Sequence, residues 1–381
     1  MDIIIFNMSR YSDWQKGIVN RNYHVLHTLA QDERVGKILA VDFLPFNFKR
    51  KLKTFVADQI LRDTQGEVIY GDLNSRCWQV TSKIYVYSSI NKFSRVLDEL
   101  NLISKKLELK EVIVWNYNPF LNNYFNQLGQ RLNIFDSVDN WLEHSSYTKY
   151  KDRLAVNYQE IKRNSDLIFT VSQNLMDLFD RENYVYQIPN GVELEHFDTN
   201  KVSDKLKDIK KPIIGFLGVM QDRLDVDLIK YLAEVFANKS IVLAGPVWKN
   251  FSKDKLVKYP NIHFLGQISY QEIPELYNGF DVGIIPYKVN EFIKSTDSMK
   301  FYEYLAAGLP VVSTDIAGAD KFQNFIKIAK THFEFKKEIE EILQQKKFKN
   351  PAIKSFLYDH TWQKRVGEMM ELIEGKISNL N

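Results

Sequence analysis

The chain alternates short apolar runs with longer amphipathic stretches, and this rhythm limits the possible folds more than any other feature of the sequence. The apolar runs are bounded by polar or turn-forming residues, as buried strands of a parallel sheet are. Consecutive parallel strands need a crossover, usually a helix, so the first half predicts a doubly wound α/β domain. The predicted elements are strands over residues 3–6, 37–41, 112–115 and 167–171 and a helix over residues 17–29. Residues 67–86, rich in β-branched and aromatic residues, predict additional strands or a hairpin.

The second half repeats this rhythm. Its predicted strands cover residues 213–217, 241–243, 262–264, 282–285 and 310–313. A chain of 381 residues exceeds one hydrophobic core and suits two cores of about 150 to 200 residues each. The turn signal Pro189-Asn190-Gly191 and the polar segment after it separate the halves. The sequence therefore predicts two Rossmann-like domains, residues 1–190 and 212–358, with a linker over 191–211 and a helix over 359–381 that returns to the first domain.

Composition and charge exclude several classes of protein. The formal net charge of +3 lacks the strong basic excess of nucleic-acid binders, so no nucleic-acid partner is expected. A single cysteine, Cys77, excludes an internal disulfide framework and favours the reducing cytoplasm. No run of about 18 to 20 apolar residues predicts a membrane-spanning helix, and residues 1–7 are typical of a buried strand rather than a signal peptide. His24, His27 and His144 lack metal-ligand spacing, and no Asp-x-Asp motif stands at a strand end, so no metal is expected.

A loop and helix after the predicted strand 282–285 carry the strongest candidate site. Ligands of open parallel sheets bind beyond the carboxyl ends of the strands, where helix N-termini point N–H groups at anions. Here Ser298 is placed as an N-cap, Lys300 falls in the first turn and Glu303 follows one turn later. The N–H groups and the ammonium suit a diphosphate, and the carboxylate suits ribose hydroxyls. The alternative is an exposed Lys300–Glu303 pair on a helix that Ser298 only caps.

The run from Lys300 to Ser313, KFYEYLAAGLPVVS, resembles the donor-site signature of GT-B glycosyltransferases. Other segments appear in the order and spacing of that family: residues 189–193, 215–218, 243–246, 264–266 and 270–276. The resemblance covers the whole C-terminal half and little of the N-terminal half. It implies two doubly wound domains that face each other across a cleft. The C-terminal domain would bind a nucleotide diphosphate sugar, expected to be uridine-linked, and the N-terminal domain would bind the acceptor.

The residues before the donor helix bear on the stereochemistry of the transfer. Retaining members of glycosyltransferase family 4 carry a Glu eight residues before the one matched by Glu303, and here that position is Ser295. Ser298-Met299-Lys300 instead resembles the xanthan glucuronosyltransferase and the teichuronic-acid transferases. The departure favours an inverting enzyme, which needs a general base to take the proton of the acceptor hydroxyl.

Two acids of the N-terminal domain are candidates for this base. Asp136 and Asp139 follow the apolar residues 134–135, at the carboxyl end of a predicted strand. The resemblance implies that the acid at the position of Asp139 is the base, with Asp136 as the second candidate. In the alternatives, Asp139 only caps the helix after it, or only positions the substrate of a retaining enzyme.

Further residues complete the two candidate sites. The remaining donor candidates are Gly218, Arg223, Tyr287 and Met299, and the candidates at the acceptor or cleft are Trp14, Lys16, Gly17, Asn116 and Asn118. Arg223 would bind the diphosphate or else pair at the surface with Asp225 or Asp227. Trp14 and Met299 contact ligands or simply pack. Lys300, Arg223 and helix dipoles would stabilise the leaving group without any cofactor.

The sequence as a whole predicts a cytoplasmic glycosyltransferase of cell-surface polysaccharide assembly, with a glycan or polyprenyl-linked acceptor. Residues 46–56 interleave basic residues with aromatic and aliphatic ones. Such a segment suits an anionic membrane surface, at roughly 1 kcal/mol per basic residue, or else a solvated helix face. Contact with an anionic membrane surface would hold the enzyme at the inner face of the cell membrane. The alternative functions are a retaining transferase, a nucleotide-sugar 2-epimerase, and a nucleotide-sugar binder without catalysis.

Overall fold

The computed structural model describes residues 1–44, 66–180, 182, 184–345 and 350–380. The chain divides into two compact units. The first unit combines Met1–Ile188 with Val366–Asn381, and the second is Pro189–Arg365. Residues 191–211, predicted as a linker, lie within the second unit, where they form the short 3-10 helices Leu194–Phe197 and Asp204–Leu206.

The described part of the first unit contains one mixed sheet. Its strands are β1 (Ile3–Phe6), β2 (Ile38–Val41), β3 (Val68–Gly71), β4 (Ser75–Gln79), β5 (Ile84–Ser89), β6 (Ile113–Asn116), β7 (Leu132–Ser137), β8 (Leu167–Thr170) and β9 (Val185–Gln187). Their order across the sheet is β3-β4-β5-β2-β1-β6-β7-β8-β9. β4 is antiparallel to β3 and β5, and the other pairs are parallel. The antiparallel β3–β4 pair confirms the additional strands predicted over residues 67–86.

β1 lies at the centre of this sheet and is a continuous apolar run. All four residues of β1 are buried, as expected for a parallel strand covered on both faces. The helices that the structure describes within Met1–Ile188 are α1 (Tyr11–Gln15), α2 (Arg21–Gln31), α3 (Phe93–Lys106), α4 (Lys151–Asn164) and α5 (Gln173–Leu178). The helix predicted over residues 17–29 begins later, at Arg21, because Asn20 caps it: the Asn20 side chain accepts a hydrogen bond from the Tyr23 N–H at 3.2 Å.

The second unit contains a parallel sheet. Its strands are β10 (Ile213–Leu217), β11 (Ser240–Ala244), β12 (Ile262–Gly266), β13 (Val282–Ile285), β14 (Val311–Thr314) and β15 (Lys327–Ala329), in the order β12-β11-β10-β13-β14-β15. The five strands predicted here are confirmed, with ends that differ by a residue or two. β15 was not predicted, because it has three residues and begins at the exposed Lys327.

Seven helices of the described residues cover this sheet or follow it. They are α6 (Val226–Val235), α7 (Ile273–Gly279), α8 (Glu291–Lys294), α9 (Met299–Ala306), α10 (His332–Gln344), α11 (Pro351–Tyr358) and α12 (Trp362–Ser378). α12 begins in the second unit and ends in the first. Within the first unit its Glu374 lies 3.0 Å from Arg34.

Three sequence expectations concern location and chemistry outside the site. Among the described residues, no helix combines the length and the apolar character needed to cross a membrane. The proposed membrane segment, residues 46–56, lies outside the described residues. Cys77 is buried in β4, and burial raises the pKa of its thiol to about 12, so this thiol is unreactive at neutral pH.

His27 gives the first unit a pH-dependent stability. Its ring lies on α2 with its centre 4.2 Å from that of Tyr23, and burial lowers the pKa of His27 from 6.5 to about 4. Between these pH values the unfolded chain binds a proton that the folded chain does not, so stability falls as the pH falls. We expect the melting temperature of the wild type to drop more between about pH 7 and pH 5 than that of His27→Gln. Calorimetry measures both drops, and equal drops would contradict this assignment.

Candidate functional site

The sheet of the second unit reverses its winding between β10 and β13. The chain passes from β10 to β11 and β12 on one side, and β13 pairs with β10 on the other side. Ligand crevices of open α/β sheets lie at such a point, beyond the carboxyl ends of the two strands. Gly218 directly follows β10, and Tyr287 lies just after β13. The fold therefore places two of the predicted donor residues at the expected edge of the sheet.

The helix α9 brings Lys300 to the same edge. The side chain of Lys300 lies so close to Gly218 that a Cβ at position 218 would be 2.6 Å from Lys300 Cε and 2.7 Å from Lys300 Nζ. Gly218 also has a φ of 154°, which residues with a side chain rarely adopt. The ammonium lies 5.6 Å from the ring centre of Phe216. Lys300 therefore packs against the backbone of Gly218 and places its ammonium near the ring of Phe216, at the carboxyl end of β10.

Ser298 occupies the N-cap position of α9 but does not cap the helix with its side chain. Its backbone is extended, with φ −77° and ψ 116°, and its side chain makes no capping hydrogen bond. The first N–H groups of an α-helix have no acceptor within the helix. Met299 and Lys300 form the start of α9 and are both half-buried. The first turn of α9 therefore offers N–H groups, the helix dipole and an ammonium to an anion.

Arg223 adds a second positive charge near Lys300. Its guanidinium carbon lies 5.0 Å from the ring centre of Tyr287, a buried side chain. Burial alone would raise the pKa of Tyr287, but Arg223 and Lys300 outweigh it and lower that pKa below its usual value. Both cations therefore act on one phenol oxygen, as expected where a site gathers positive charge.

The acids considered as surface partners of Arg223 have contacts with other side chains. Asp225 caps α6 by accepting a hydrogen bond from the Leu228 N–H at 2.9 Å, and it lies 3.2 Å from His332. Asp227 lies 3.1 Å from Lys230 in an exposed pair. The carboxylates of Asp225 and Asp227 therefore have partners on α6 and on its neighbour α10.

Glu303 is held one turn after Lys300 by a buried tyrosine. Its Oε2 accepts a hydrogen bond from the Tyr277 hydroxyl at 3.0 Å. Burial, followed by the charge of Glu303, raises the pKa of Tyr277 well above its usual value, so this hydroxyl stays a donor. No ion pair joins Lys300 to Glu303 in the part of the chain that the structure describes. The exposed pair considered as an alternative is therefore absent, and the carboxylate stays half-buried beside the first turn.

Asp136 forms a buried ion pair in the first unit. The Nε of Arg21 lies 3.0 and 3.1 Å from its two carboxylate oxygens, and both side chains are 0% exposed. Burial raises the pKa of Asp136, and the positive charge of Arg21 opposes that shift. The pair connects α2 to the end of β7. Because its carboxylate is enclosed, Asp136 fits a structural role better than that of a base.

Asp139 lies in the loop after β7 and is half-buried. The next helical segment, the 3-10 helix Ser145–Tyr150, starts further on, and His144 is its N-cap. The alternative in which Asp139 caps a helix is therefore wrong. The backbone carbonyl of Asp139 accepts a hydrogen bond from the Tyr158 hydroxyl at 3.5 Å, which connects the loop to α4.

Asn116 and Asn118, predicted at the acceptor, instead stabilise their own loop. Both are buried. The Nδ2 of Asn116 donates to the carbonyl oxygens of Asn118 and Leu121 at 3.1 and 3.0 Å. The Oδ1 of Asn118 accepts from the Phe120 N–H at 3.0 Å. Their polar atoms bind backbone groups after β6, because a buried loop must satisfy its own N–H and C=O groups.

The remaining acceptor candidates surround the short helix α1. Trp14 is buried, with its ring centre 5.7 Å from that of Tyr23, and it packs against α2. Gly17 has a φ of 85°, and its N–H donates to the carbonyl oxygen of Trp14 at 2.8 Å. Gly17 therefore follows a helix instead of starting one. Lys16 is exposed at the end of α1.

Two features of the site were outside the reach of the sequence motifs. Asp297, a fully buried acid directly before Ser298, was not identified, and neither was the hydrogen bond of Tyr277 to Glu303. The position of Asp297 next to the N-cap was the available signal.

Among the described residues, no three His, Cys, Asp or Glu side chains come together in a way that could hold a metal ion.

The two doubly wound units, with a cationic helix start at the switch point of the second, have the GT-B fold of glycosyltransferases. HepE from Anabaena, solved with UDP and glucose, matches with a TM-score of 0.64 and 13% identity over 98% of this chain and 100% of that chain. The α,α-trehalose 6-phosphate synthase of Burkholderia multivorans matches with a TM-score of 0.66 and 10% identity over 100% of this chain and 99% of that chain. The fold class predicted from the sequence is confirmed.

Comparison of sequences gives a narrower result for the second unit. Residues 211–345 match the family model described as Glycosyl transferases group 1. The chain is also 32% identical over 144 residues to TuaH of Bacillus subtilis (strain 168), a protein assigned to teichuronic acid biosynthesis as a glycosyltransferase. That match covers 36% of this chain and 36% of TuaH. The predicted resemblance to GT-B glycosyltransferases and teichuronic-acid transferases is confirmed.

Proposed function

We propose that the chain is a glycosyltransferase of cell-surface polysaccharide biosynthesis, which moves a sugar from a UDP-sugar to a glycan or lipid-linked glycan. The observation that carries the proposal is the convergence of the α9 N-terminus, the Lys300 ammonium and Gly218 at one edge of the sheet. The group 1 model covers this segment, TuaH is assigned to teichuronic acid biosynthesis, and HepE was solved with UDP and glucose. These findings support a transferase with a uridine-linked donor.

The donor residues have separate roles in this proposal. Lys300 and the first N–H groups of α9 bind the diphosphate, and Arg223 contributes further positive charge. Glu303, held by Tyr277, accepts hydrogen bonds from ribose hydroxyls. As the sugar leaves, negative charge grows on the diphosphate, and the same cations stabilise it. The scheme needs no metal or other cofactor.

We infer that the transfer inverts the anomeric centre, with Asp139 as the base. The acceptor oxygen bonds to the anomeric carbon as Asp139 takes the hydroxyl proton, and the bond from that carbon to the diphosphate breaks. The nucleoside diphosphate leaves with the bonding electrons. Ser295, at the position of the acid of retaining family 4 enzymes, supports this assignment, and so does the enclosure of Asp136.

The proposed location is the cytoplasm at the inner face of the cell membrane. The single buried cysteine supports a reducing compartment. The basic and aromatic composition of residues 46–56 supports contact with an anionic surface and a polyprenyl-linked acceptor.

Calorimetric titration with uridine, guanosine and thymidine diphosphates tests the donor site. We expect uridine diphosphate to bind most tightly, and binding of none of the three would refute the proposal. Transfer from a labelled UDP-sugar, followed by assignment of the anomeric configuration, then tests the stereochemistry. Isomerisation of the donor without any acceptor would favour the 2-epimerase.

Gly218→Ala tests whether the close approach of Lys300 matters for binding. The added methyl group would occupy the space of Lys300 Cε and Nζ and would strain a backbone with φ 154°. We expect the Kd of uridine diphosphate to rise about tenfold or more. Gly375→Ala is the matched control, because a Cβ there meets no atom within 4 Å. If both variants bound uridine diphosphate with the same Kd, Gly218 would not be part of the donor site.

A further inference from the structure

Asp297 is a buried carboxylate that none of the proposed roles uses. Its side chain is 0% exposed although it directly precedes Ser298. Its Oδ2 accepts hydrogen bonds from the Asn190 N–H at 2.8 Å and from the Tyr302 hydroxyl at 3.0 Å, and Lys321 Nζ lies 3.4 Å from its Oδ1. A buried charge is costly unless it is paired and hydrogen-bonded, and these partners meet that condition.

Asn190, which contacts Asp297, lies near both places where the chain passes from one unit to the other. Asn190 is the second residue after the first passage, and Arg365 is the last residue before the second passage. The Nε of Arg365 donates to the carbonyl oxygen of Asn190 at 3.4 Å. The Nδ2 of Asn190 donates to the carbonyl oxygen of Asp297 at 2.6 Å. Asp297 is therefore connected to both passages through Asn190.

Backbone hydrogen bonds also join the two passages. The Val192 N–H donates to the His360 carbonyl oxygen at 3.0 Å, and the Trp362 N–H donates to the Val192 carbonyl oxygen at 3.2 Å. Gly191 permits this approach, because a Cβ there would lie 3.0 Å from His360 O and from Trp362 N. The chain segments around Gly191 and Thr361 thus form one backbone-paired element.

We propose that Asp297 is a positioning residue for donor binding, which anchors the start of α9, and with it Lys300, to the joined segments at which the chain passes between its units. The proposal rests on the proposed donor site. The enclosed carboxylate touches no ligand and acts through the loop that it holds. Without this anchor, the N–H groups of α9 and the ammonium converge in a smaller fraction of molecules, and the apparent affinity falls by that fraction.

Asp297→Asn removes the charge and keeps the size of the side chain. We expect it to raise the Kd of uridine diphosphate about tenfold, as when the competent fraction falls to about a tenth. Asp281→Asn is the matched control in the same unit. Asp281 accepts a hydrogen bond from the Ile213 N–H at 2.7 Å and lies 3.4 Å from Lys211, but it stands at the amino ends of β10 and β13. The Asp281→Asn variant should therefore have a lower melting temperature, but its Kd for uridine diphosphate should stay within about twofold of the wild-type value.

Tyr302→Phe keeps the inference testable if Asp297→Asn fails to fold. The Tyr302 side chain is fully buried, so loss of its hydroxyl changes a contact of Asp297 and no contact of a ligand. We expect the Kd to rise about threefold to tenfold, since a hydrogen bond to a charged group is lost.

The outcomes separate this inference from the proposed function. A folded Asp297→Asn protein with a Kd within about twofold of the wild type would overturn the positioning role and leave the donor site intact. An equal loss of affinity in Asp281→Asn would overturn it as well, because the effect would then follow from general destabilisation. A wild-type protein that binds no uridine diphosphate would remove the proposed function and this inference with it.

Discussion

Lys300→Ala is expected to lower the affinity for uridine diphosphate about a hundredfold, because charge-assisted hydrogen bonds to a phosphate contribute about 1.5 to 3 kcal/mol. The ammonium already lies beside Gly218 and 5.6 Å from the ring centre of Phe216, at the helix start where the anion is proposed to bind. Calorimetric titration measures the Kd directly. Lys300→Arg should restore little of the affinity, because the guanidinium is wider than the space that Gly218 leaves.

Lys294→Ala is the matched control for this substitution. Lys294 lies on α8, six residues before Lys300, and forms an exposed pair with Glu291 at 2.6 Å. Its removal changes the net charge as Lys300→Ala does, but it should leave the Kd near the wild-type value, since exposed pairs contribute little. Equal affinity of Lys300→Ala and the wild type would mean that the diphosphate does not bind at α9, and the proposed function would fail.

Local sequence patterns were sufficient for most strands of the two sheets and for the donor helix, but not for the three-residue edge strands β9 and β15. Strands such as β1 and β10 are continuous apolar runs, and a parallel strand buried on both faces requires that pattern. The motif around Lys300 and Glu303 combines a strand end, a loop and a helix start within one short segment. Its geometry therefore depends on neighbouring residues, and local patterns describe such geometry well.

Contacts between distant residues were beyond those patterns. Arg21 and Asp136 are 115 positions apart, and nothing near Asp136 indicates that a buried guanidinium neutralises it. Asp297 and Asn190 are 107 positions apart, so the anchor of the donor loop was invisible for the same reason. Asn116 and Asn118 resembled pocket residues because they follow a strand, yet the tertiary fold buries their amides against backbone groups.

The tertiary contacts distinguish the two candidate bases more sharply than the sequence does, and they keep Asp139 ahead of Asp136. A general base must reach the proton of its substrate, and geometry comes before pKa in that judgement. Asp136 is enclosed with Arg21, whereas Asp139 is half-buried in the loop beyond β7. The two acids are only three positions apart, but Asp136 lies within β7 in an internal ion pair, whereas Asp139 lies in the loop after that strand.

Asp139→Asn is expected to lower kcat by about a hundredfold to ten-thousandfold, because an amide of the same size cannot accept the proton of the acceptor hydroxyl. The Kd of uridine diphosphate should stay at the wild-type value, since the proposed donor contacts lie in the second unit. Transfer from a labelled UDP-sugar measures kcat, and calorimetry measures the Kd. Glu143→Gln is the matched control, because its exposed carboxylate pairs with Lys151 at 3.0 Å.

Comparison of these results decides between the inverting and retaining mechanisms. A large loss of kcat in Asp139→Asn, normal kcat in Glu143→Gln and an inverted product would together support Asp139 as the base. A product with retained configuration would mean that the transfer does not invert the anomeric centre. Asp139 would then not be the base of an inverting reaction and would only position the substrate. Unchanged kcat in Asp139→Asn with an inverted product would contradict the assignment outright, because inversion still requires a base and that base would lie elsewhere.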